Sequence, residues 1–367
     1  AVGAQTLTVG TAGRTPAVDI TMDLLFGKAP RMHRLGRTRP AAALSAPAPE
    51  PADLAGLVLA DVALAVLRVP AVASKSFLIT IGDRTVGGLS ARDPMVGPWQ
   101  VPVADYAVGL LDFRGHAGDA LALGERSPVA TIDPAAASRL AIAEALTNLV
   151  SACPASITAA KLSANWMANC GTAENDGDLF VAVKAASDLC IAVGISIPVG
   201  KDSLSMRTRW QASGDAVEVG SPVSLVVTAH APVDDVRDAL TPELSPRQDA
   251  CLILVDLGRG RRRLGASALA LVTGRDGDPV PDLDEPALLA RLFDAVRAAR
   301  SQGLLIACHD RSDGGLFATV CEMAFAGHCG VSVNLDMLTI DPHASDWGDF
   351  KIRPEQVAVQ REELVLR

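Results

Sequence analysis

Residues 286–327, PALLARLFDAVRAARSQGLLIACHDRSDGGLFATVCEMAFAG, decide the fold class of this chain. The segment 286–303 has the apolar spacing of an amphipathic helix, and 304–308 is a short apolar run typical of a buried strand. Residues 315–327 then predict a second helix. Because helix and strand alternate here, the sequence predicts an α/β (α+β) protein.

Similar patterns extend towards the N-terminus. Helical spacing ends at Pro70, and a second helix is predicted with Asp133 as N-cap and Pro134 in its first turn. A third helix is predicted to end at Gly194. We also predict strands at 76–83, 100–113, 195–200, 221–233, 251–258, 304–308 and 330–338, helices at 54–70, 133–153 and 176–194, and loops at 161–171 and 201–210.

Length and composition limit the number of domains and the kinds of function that the chain can have. A chain of 367 residues is long enough for two or three domains. The net charge of −9, without a basic patch that includes aromatic residues, does not indicate nucleic-acid binding. The one dense basic run, 259–265, is predicted to be a solvated turn. Seven cysteines without a CxxC pair disfavour disulfides and zinc.

The sequence gives no indication of membrane insertion or export. No apolar stretch reaches the roughly 18 residues of a membrane helix, and the first residues lack the pattern of a signal peptide. We therefore expect a cytoplasmic protein with reduced cysteines and no membrane partner. The abrupt ends of the sequence suggest an excerpt from a longer chain.

Three places carry residues suited to a metal. Glu144 and Asn148 are four residues apart, hence one turn apart on a helix, and their oxygens suit Mg²⁺. A solvated glutamate and a helix-end asparagine would give the same spacing. Asp105 interrupts a strand-like run, where a buried carboxylate needs a partner such as a metal, an arginine or a turn amide.

The third place is the loop HDRSDGG at 309–315. Asp310 follows a predicted strand, Ser312 or Asp313 is suited to cap the next helix, and Gly314-Gly315 allow close approach of a ligand. Backbone amides at a helix start favour phosphate, and the nearby aspartate favours magnesium. An acidic cap with a flexible turn explains the same residues. The segment 197–210 lacks the P-loop pattern and is predicted to be a polar turn after a strand.

Several strings together resemble one family. TIGDRTVGGLSARDPMVGPWQVPVAD, GERSPVATID, AEALTNL, KLSANWMANCG, IPVGKDSLSMRTRW and HDRSDGGLFATVCEMAFAGHCGV are similar to the large, single-chain phosphoribosylformylglycinamidine synthases of bacteria. The resemblance runs from about residue 18 to 338. It implies magnesium ligation by Asp105, Glu144, Asn148 and Asp310, and nucleotide contacts by Ala104 and Ser312.

The resemblance also implies an architecture. The chain resembles the second of two synthetase modules, each a two-domain unit similar to aminoimidazole ribonucleotide synthetase, with mixed sheets packed by helices. The expected division is a preceding tail and Pro/Ala-rich linker at 1–50, an N-terminal-type domain at 51–233, a linker at 234–249, and a truncated C-terminal-type domain at 250–367.

The implied activity is that of a ligase of purine biosynthesis. In this family ATP activates the amide oxygen of formylglycinamide ribonucleotide, and ammonia from glutamine then displaces phosphate to give the amidine. The glutaminase domain would lie outside this chain, so the chain alone is expected to be inactive. Two alternatives stay open: a half that holds ADP structurally, and a stand-alone relative of aminoimidazole ribonucleotide synthetase.

Overall fold

The computed structural model describes most of the chain in two compact units, Ala1–Leu35 and Gly36–Arg367. The described residues are 5–27, 32–38 and 56–334, apart from Asp83, Val86, Gly87, Gln248, Arg262, Asp276, Gly277 and Ser312. In the first unit, strands β1 (Thr6–Val9) and β2 (Val18–Thr21) form an antiparallel hairpin. The short helix α1 (Met22–Phe26) follows, and the Thr21 hydroxyl caps it.

The second unit is built on a six-stranded sheet in the order β3-β4-β5-β10-β6-β7. Its neighbours are antiparallel except β6 and β7, which run parallel, so the sheet is mixed. A two-stranded hairpin, β8 and β9, follows β7. The strands are β3 Ser90–Arg92, β4 Tyr106–Leu110, β5 Gly118–Glu125, β6 Lys161–Met167, β7 Ser196–Ser203, β8 Arg207–Ala212, β9 Asp215–Gly220 and β10 Ser224–Val233.

Helices cover one face of this sheet and continue beyond it. The longest two, α5 and α6, pack against each other, and α5 lies on β5 and β10. The α-helices of the second unit are α2 Leu59–Arg68, α3 Ser76–Ile81, α4 Ser127–Ala130, α5 Pro134–Val150, α6 Ala173–Val193, α7 Ala268–Thr273, α8 Ala287–Ser301 and α9 Gly315–Gly327. This mixed sheet with helices packed on it is the predicted fold class.

The predicted N-terminal end of α5 and the predicted C-terminal end of α6 are confirmed. Asp133 accepts hydrogen bonds from the amides of Ala135 and Ala136, each at 2.9 Å, as an N-cap does. Gly194 closes α6 in the left-handed conformation, with φ 73°. The Asp133 cap and the Gly194 stop depend only on residues nearby in the sequence, so both can be predicted without knowing the tertiary structure.

The main core lies between α5 and the sheet. Ile142, Leu146 and Leu149 of α5 are fully buried. They belong to one cluster with Val227 of β10 that continues to Phe293 of α8. The core therefore fixes the polar edge of α5, which carries Glu144 and Asn148, against strand β5.

Close packing of α5 on β5 depends on Gly124. A Cβ at this position would stand 2.2 Å from the Ala141 carbonyl oxygen and 2.4 Å from the Ala145 nitrogen. We expect Gly124→Ala to lower the free energy of unfolding by about 3 kcal/mol, because the helix must move away from the strand. Gly109→Ala is the matched control, since a Cβ on this β4 glycine meets nothing within 4 Å. Equal unfolding free energies for the two variants would contradict the prediction.

Some predicted strands are wrong. Residues 76–81 form helix α3, with Phe77 62% exposed and the Thr80 hydroxyl donating to the Ser76 carbonyl. The apolar runs 251–258 and 304–308, and the described part of 330–338, are not strands. Ile253 is 74% exposed. β-branched and apolar residues form a strand only where a neighbouring strand satisfies their backbone, and the described residues offer these segments none.

Two predicted loops are strands instead. Residues 161–167 form β6 between β10 and β7, 201–203 extend β7, and 207–210 belong to β8. The alternation of buried Leu162 and Ala164 with the more exposed Lys161, Ser163 and Asn165 is the pattern of a half-buried strand. The unusual composition of the segment concealed this signal.

The solvated turn predicted at 259–265 is confirmed in part: residues 259–261 are exposed, whereas Leu264 and Gly265 are buried. Arg261 and Arg263 contact Asp284 at 2.8 and 2.6 Å, and Arg259 contacts Glu285 at 2.5 Å. Acidic residues of the same chain therefore neutralise these cations. Among the described residues, no helix combines the length and the apolar character needed to cross a membrane.

Candidate functional site

The centre of the site is a buried group formed by Asp105, His309 and Asp310. Asp105 immediately precedes β4, and the other two residues open the loop that leads into α9. Their side chains are 1%, 5% and 7% exposed. One possible ligand atom of each lies within 4.8 Å of the others. Two of the four predicted metal ligands, 205 residues apart in sequence, therefore meet at one point.

His309 lies between two carboxylates. Its Nδ1 is 2.6 Å from Asp105 Oδ1, and its Nε2 is 2.8 Å from Glu322 Oε2 on α9. Burial opposes a charge on the ring, but the negative charge of Asp105 and the two hydrogen bonds outweigh it and raise the pKa of His309 to about 10. His309 is therefore a cation at neutral pH.

The two aspartates are costly to ionise in the absence of a cation. Burial raises the pKa of Asp310 well above its ordinary value, and the negative charge of Asp105 raises it further. Burial also raises the pKa of Asp105, against the lowering effect of His309. The Oδ2 atom of Asp105 is buried without a hydrogen-bond partner among the described residues.

Glu144 and Asn148 both face strand β5 from helix α5. Glu144 Oε2 accepts from the Glu125 amide at 2.7 Å, and Asn148 Nδ2 donates to the Leu123 carbonyl at 2.9 Å. Glu144 stands outside the 4.8 Å group, although its negative charge contributes to the raised pKa of Asp310. Burial raises the pKa of Glu144 itself to about 7. The Oδ1 atom of Asn148 is buried and, within the described part of the chain, lacks a partner.

The predicted role of Asp313 as a helix cap is wrong. Helix α9 begins after Gly314, whose φ is 87°, and no side chain of the described residues caps it. The Asp313 carboxylate instead accepts a hydrogen bond from Arg126, the residue that follows β5. A cation in reach outcompetes the helix amides for this carboxylate. The pair joins the loop to the end of β5, and the negative charge of Glu144 also acts on Arg126.

The Arg126–Asp313 pair is expected to stabilise the site. Arg126→Gln removes the cation and leaves Asp313 and Glu144 uncompensated, so we expect a loss of about 2 kcal/mol of unfolding free energy. The pair Arg209–Glu218 on the exposed hairpin β8–β9 provides the control. Arg209→Gln is expected to cost less than about 0.5 kcal/mol. Chemical denaturation measures both, and a smaller effect at Arg126 than at Arg209 would contradict this prediction.

Ala104 lies beside the buried group at the wall of a cavity of about 390 Å³. Asp105 and Tyr106 contribute to the same wall, and Arg92, Thr241 and Glu243 lie around it. The Tyr106 hydroxyl donates to the Leu240 carbonyl and so joins β4 to the segment that follows β10. The predicted nucleotide contact at Ser312 lies outside the described residues.

The donor set suits a hard divalent cation. Asp105, Asp310 and Glu144 offer carboxylate oxygens, and the buried Oδ1 of Asn148 is an amide oxygen, all of which are donors that Mg²⁺ prefers. Both nitrogens of the one imidazole in the group are engaged by carboxylates. An unsatisfied buried carboxylate oxygen at Asp105 is also the feature that a cation would satisfy.

The sequence did not identify the cations or Glu322 as part of the site. His309 stood in the quoted loop without a role, and Arg126 lay in the string GERSP without one. Glu322, in the middle of α9, has the pattern of an ordinary polar helix residue. Their contacts are long-range, so no local spacing indicates them.

Comparison with known proteins gives two family matches. Residues 74–232 match the family model described as "FGAR-AT PurM_N-like domain". Residues 247–363 match the model described as "AIR synthase related protein, C-terminal domain". The second matched segment follows the first along the chain.

Solved structures show more distant similarity. T. maritima PurL complexed with FGAR is 12% identical over 74% of this chain and 39% of its own, with a TM-score of 0.46. T. maritima PurL complexed with ATP is 16% identical over 65% of this chain and 33% of its own, with a TM-score of 0.41. Thiamine-monophosphate kinase from Stenotrophomonas maltophilia is 17% identical over 60% of this chain and 67% of its own, with a TM-score of 0.36. The chain thus spans between a third and two fifths of these PurL chains.

Proposed function

By its two matched domains the chain belongs to the phosphoribosylformylglycinamidine synthase type, and on this premise we propose that it forms a Mg²⁺–nucleotide site of that enzyme. The observation that carries the proposal is the buried group at Asp105 and Asp310. Two carboxylates that repel each other, one with an unpartnered oxygen, are stable together only with cations nearby. His309 supplies one positive charge, and a divalent ion would supply the rest.

The residues that would hold the ion are Asp105, Asp310 and Glu144, with Asn148 contributing its amide oxygen. When bound, Mg²⁺ neutralises the charge of nucleotide phosphates. The chain's own residues orient the site: Arg126 holds Asp313, and this pair keeps Asp313 against the end of β5. The cavity beside Ala104 offers room for the nucleoside, and Ser312 is assigned a contact to the nucleotide.

For the complete enzyme we propose the reaction of the family. ATP phosphorylates the amide oxygen of formylglycinamide ribonucleotide, and ammonia derived from glutamine attacks the same carbon and displaces phosphate. A glutaminase domain outside this chain would supply the ammonia. In this scheme the protein is a cytoplasmic, glutamine-dependent ligase with Mg²⁺, and the division at 51–233 and 250–367 is part of the proposal.

A second candidate function is that this half holds a nucleotide without turnover. The observation in its favour is that both cations of the site are already paired, His309 with Asp105 and Glu322, and Arg126 with Asp313. A site for phosphoryl transfer commonly directs a cation at the moving phosphate. The two functions share the same ligands and differ in whether ATP is consumed.

Calorimetry with Mg-ATP and Mg-ADP tests the proposal. We expect binding by the chain and a loss of at least about a hundredfold in affinity in Asp310→Ala and Glu144→Ala, because each removes a ligand. The matched control is Asp188→Ala, which removes an exposed carboxylate on α6 that pairs with Lys184. A folded chain that binds neither nucleotide contradicts the site. Phosphate release, measured with formylglycinamide ribonucleotide and ammonia, separates turnover from holding.

A further inference from the structure

His309 is the only described residue that contacts both a predicted metal ligand, Asp105, and a carboxylate of helix α9, Glu322, through its two ring nitrogens. The ring is 5% exposed, and its backbone is adjacent to Asp310. Its position is therefore fixed from two sides. A ring so fixed determines where the bonded carboxylate points.

The fixed His309 ring orients the carboxylate of Asp105. Its Oδ1 accepts from His309, while its Oδ2 is buried without a partner among the residues described. A free carboxylate rotates about its terminal torsion with little preference. The hydrogen bond from Nδ1 removes that freedom and distinguishes the two oxygens, so one is held and the other is open to a ligand.

We propose that His309 is a positioning residue: it holds Asp105 through Nδ1 so that Oδ2 is presented to a divalent cation, while Glu322 fixes the ring through Nε2. His309 itself is not a ligand. This inference rests on the proposed function, because it requires a cation at Asp105. The hydrogen-bonded partner of a ligand commonly changes metal affinity ten- to hundredfold when it is lost.

The ring's two nitrogens can be tested separately. In asparagine the amide nitrogen stands near the place of Nδ1, and in glutamine it stands near the place of Nε2. His309→Asn therefore retains the donor to Asp105 and loses the contact to Glu322. His309→Gln does the reverse. Asp188→Asn, on an exposed carboxylate of α6 that pairs with Lys184, serves as the control outside the site.

The probe is Mn²⁺ alone, with the free ion counted by electron paramagnetic resonance. We expect affinity within about threefold of the wild type in His309→Asn and Asp188→Asn, and a loss of ten- to hundredfold in His309→Gln. Equal losses in the asparagine and glutamine variants would overturn the inference. Circular dichroism establishes that each variant is folded.

A measurement on the wild type needs no variant. Spin-echo spectroscopy of bound Mn²⁺ is expected to show no directly coordinated ¹⁴N, because carboxylates engage both ring nitrogens. A coordinated ¹⁴N signal would make His309 a ligand and overturn the positioning role. If the wild type binds no Mn²⁺ at all, the proposed site fails, and the inference fails with it.

Discussion

Asp310→Asn is expected to change metal binding and metal-free stability in opposite directions. The variant should bind Mg²⁺ at least about a hundredfold more weakly, because a carboxylate ligand becomes a neutral amide. In EDTA the same variant should unfold with a free energy higher by about 1–3 kcal/mol. The substitution removes a buried charge whose ionisation burial and Asp105 both oppose.

Denaturant unfolding with and without Mg²⁺ measures both effects in one experiment. In the wild type, Mg²⁺ should raise the unfolding free energy by binding the folded state alone. In Asp310→Asn this rise should be absent. Asp238→Asn, on a carboxylate 63% exposed, is the control and should change neither quantity by more than about 0.5 kcal/mol. A variant less stable in EDTA would show that Asp310 serves the fold and not a ligand.

Metal affinity and metal-free stability change in opposite directions because a binding site places ionisable groups where burial makes their charge costly. The apolar core would be more stable without ionisable groups near it, yet Asp105, Asp310 and Glu144 are all placed where burial raises their pKa. Such groups are retained where function requires them, at a cost in stability. The raised pKa values are a consequence of the same burial that makes the oxygens available to a cation.

How much of the fold was predictable depends on the range of the signals. Helix α5 was predicted with its cap at Asp133, because capping and apolar spacing act within one or two turns. The strands were harder, because a ladder needs a partner far away in sequence. Thus 76–81 was wrongly predicted as a strand, and β6 (Lys161–Met167) was missed although it lies inside the sheet.

The site residues divide in the same way, into those that local sequence signals indicate and those that depend on contacts distant in sequence. Oxygen donors at helical spacing and an acidic loop before a helix indicated Glu144, Asn148 and Asp310, while the family resemblance selected them over ordinary solvated residues. The partners of these groups were not predictable. Glu322 contacts His309 only because α9 lies alongside the loop, and Arg126 meets Asp313 across 187 residues of sequence.

Glu144 should make the metal-free protein less stable as the pH rises. The pKa of Glu144 is about 7 in the folded chain, against an ordinary value of 4.5. Between these two pH values the carboxyl group is mostly protonated in the folded state and mostly ionised in the unfolded state. Stability must therefore fall from about pH 4.5 to about pH 7. A shift of this size corresponds to roughly 3 kcal/mol.

Glu144→Gln isolates this effect. Its amide oxygen can still accept from the Glu125 amide, and it carries no charge, so in EDTA the variant should equal the wild type near pH 5 and exceed it by up to about 3 kcal/mol at pH 8. Mg²⁺ should reverse the order at pH 8, because the ion stabilises the ionised carboxylate and competes with the proton. Glu174→Gln, on a side chain 64% exposed, should show neither behaviour. A difference between wild type and Glu144→Gln that is constant with pH would mean that Glu144 does not titrate in this range, and that its burial serves packing alone.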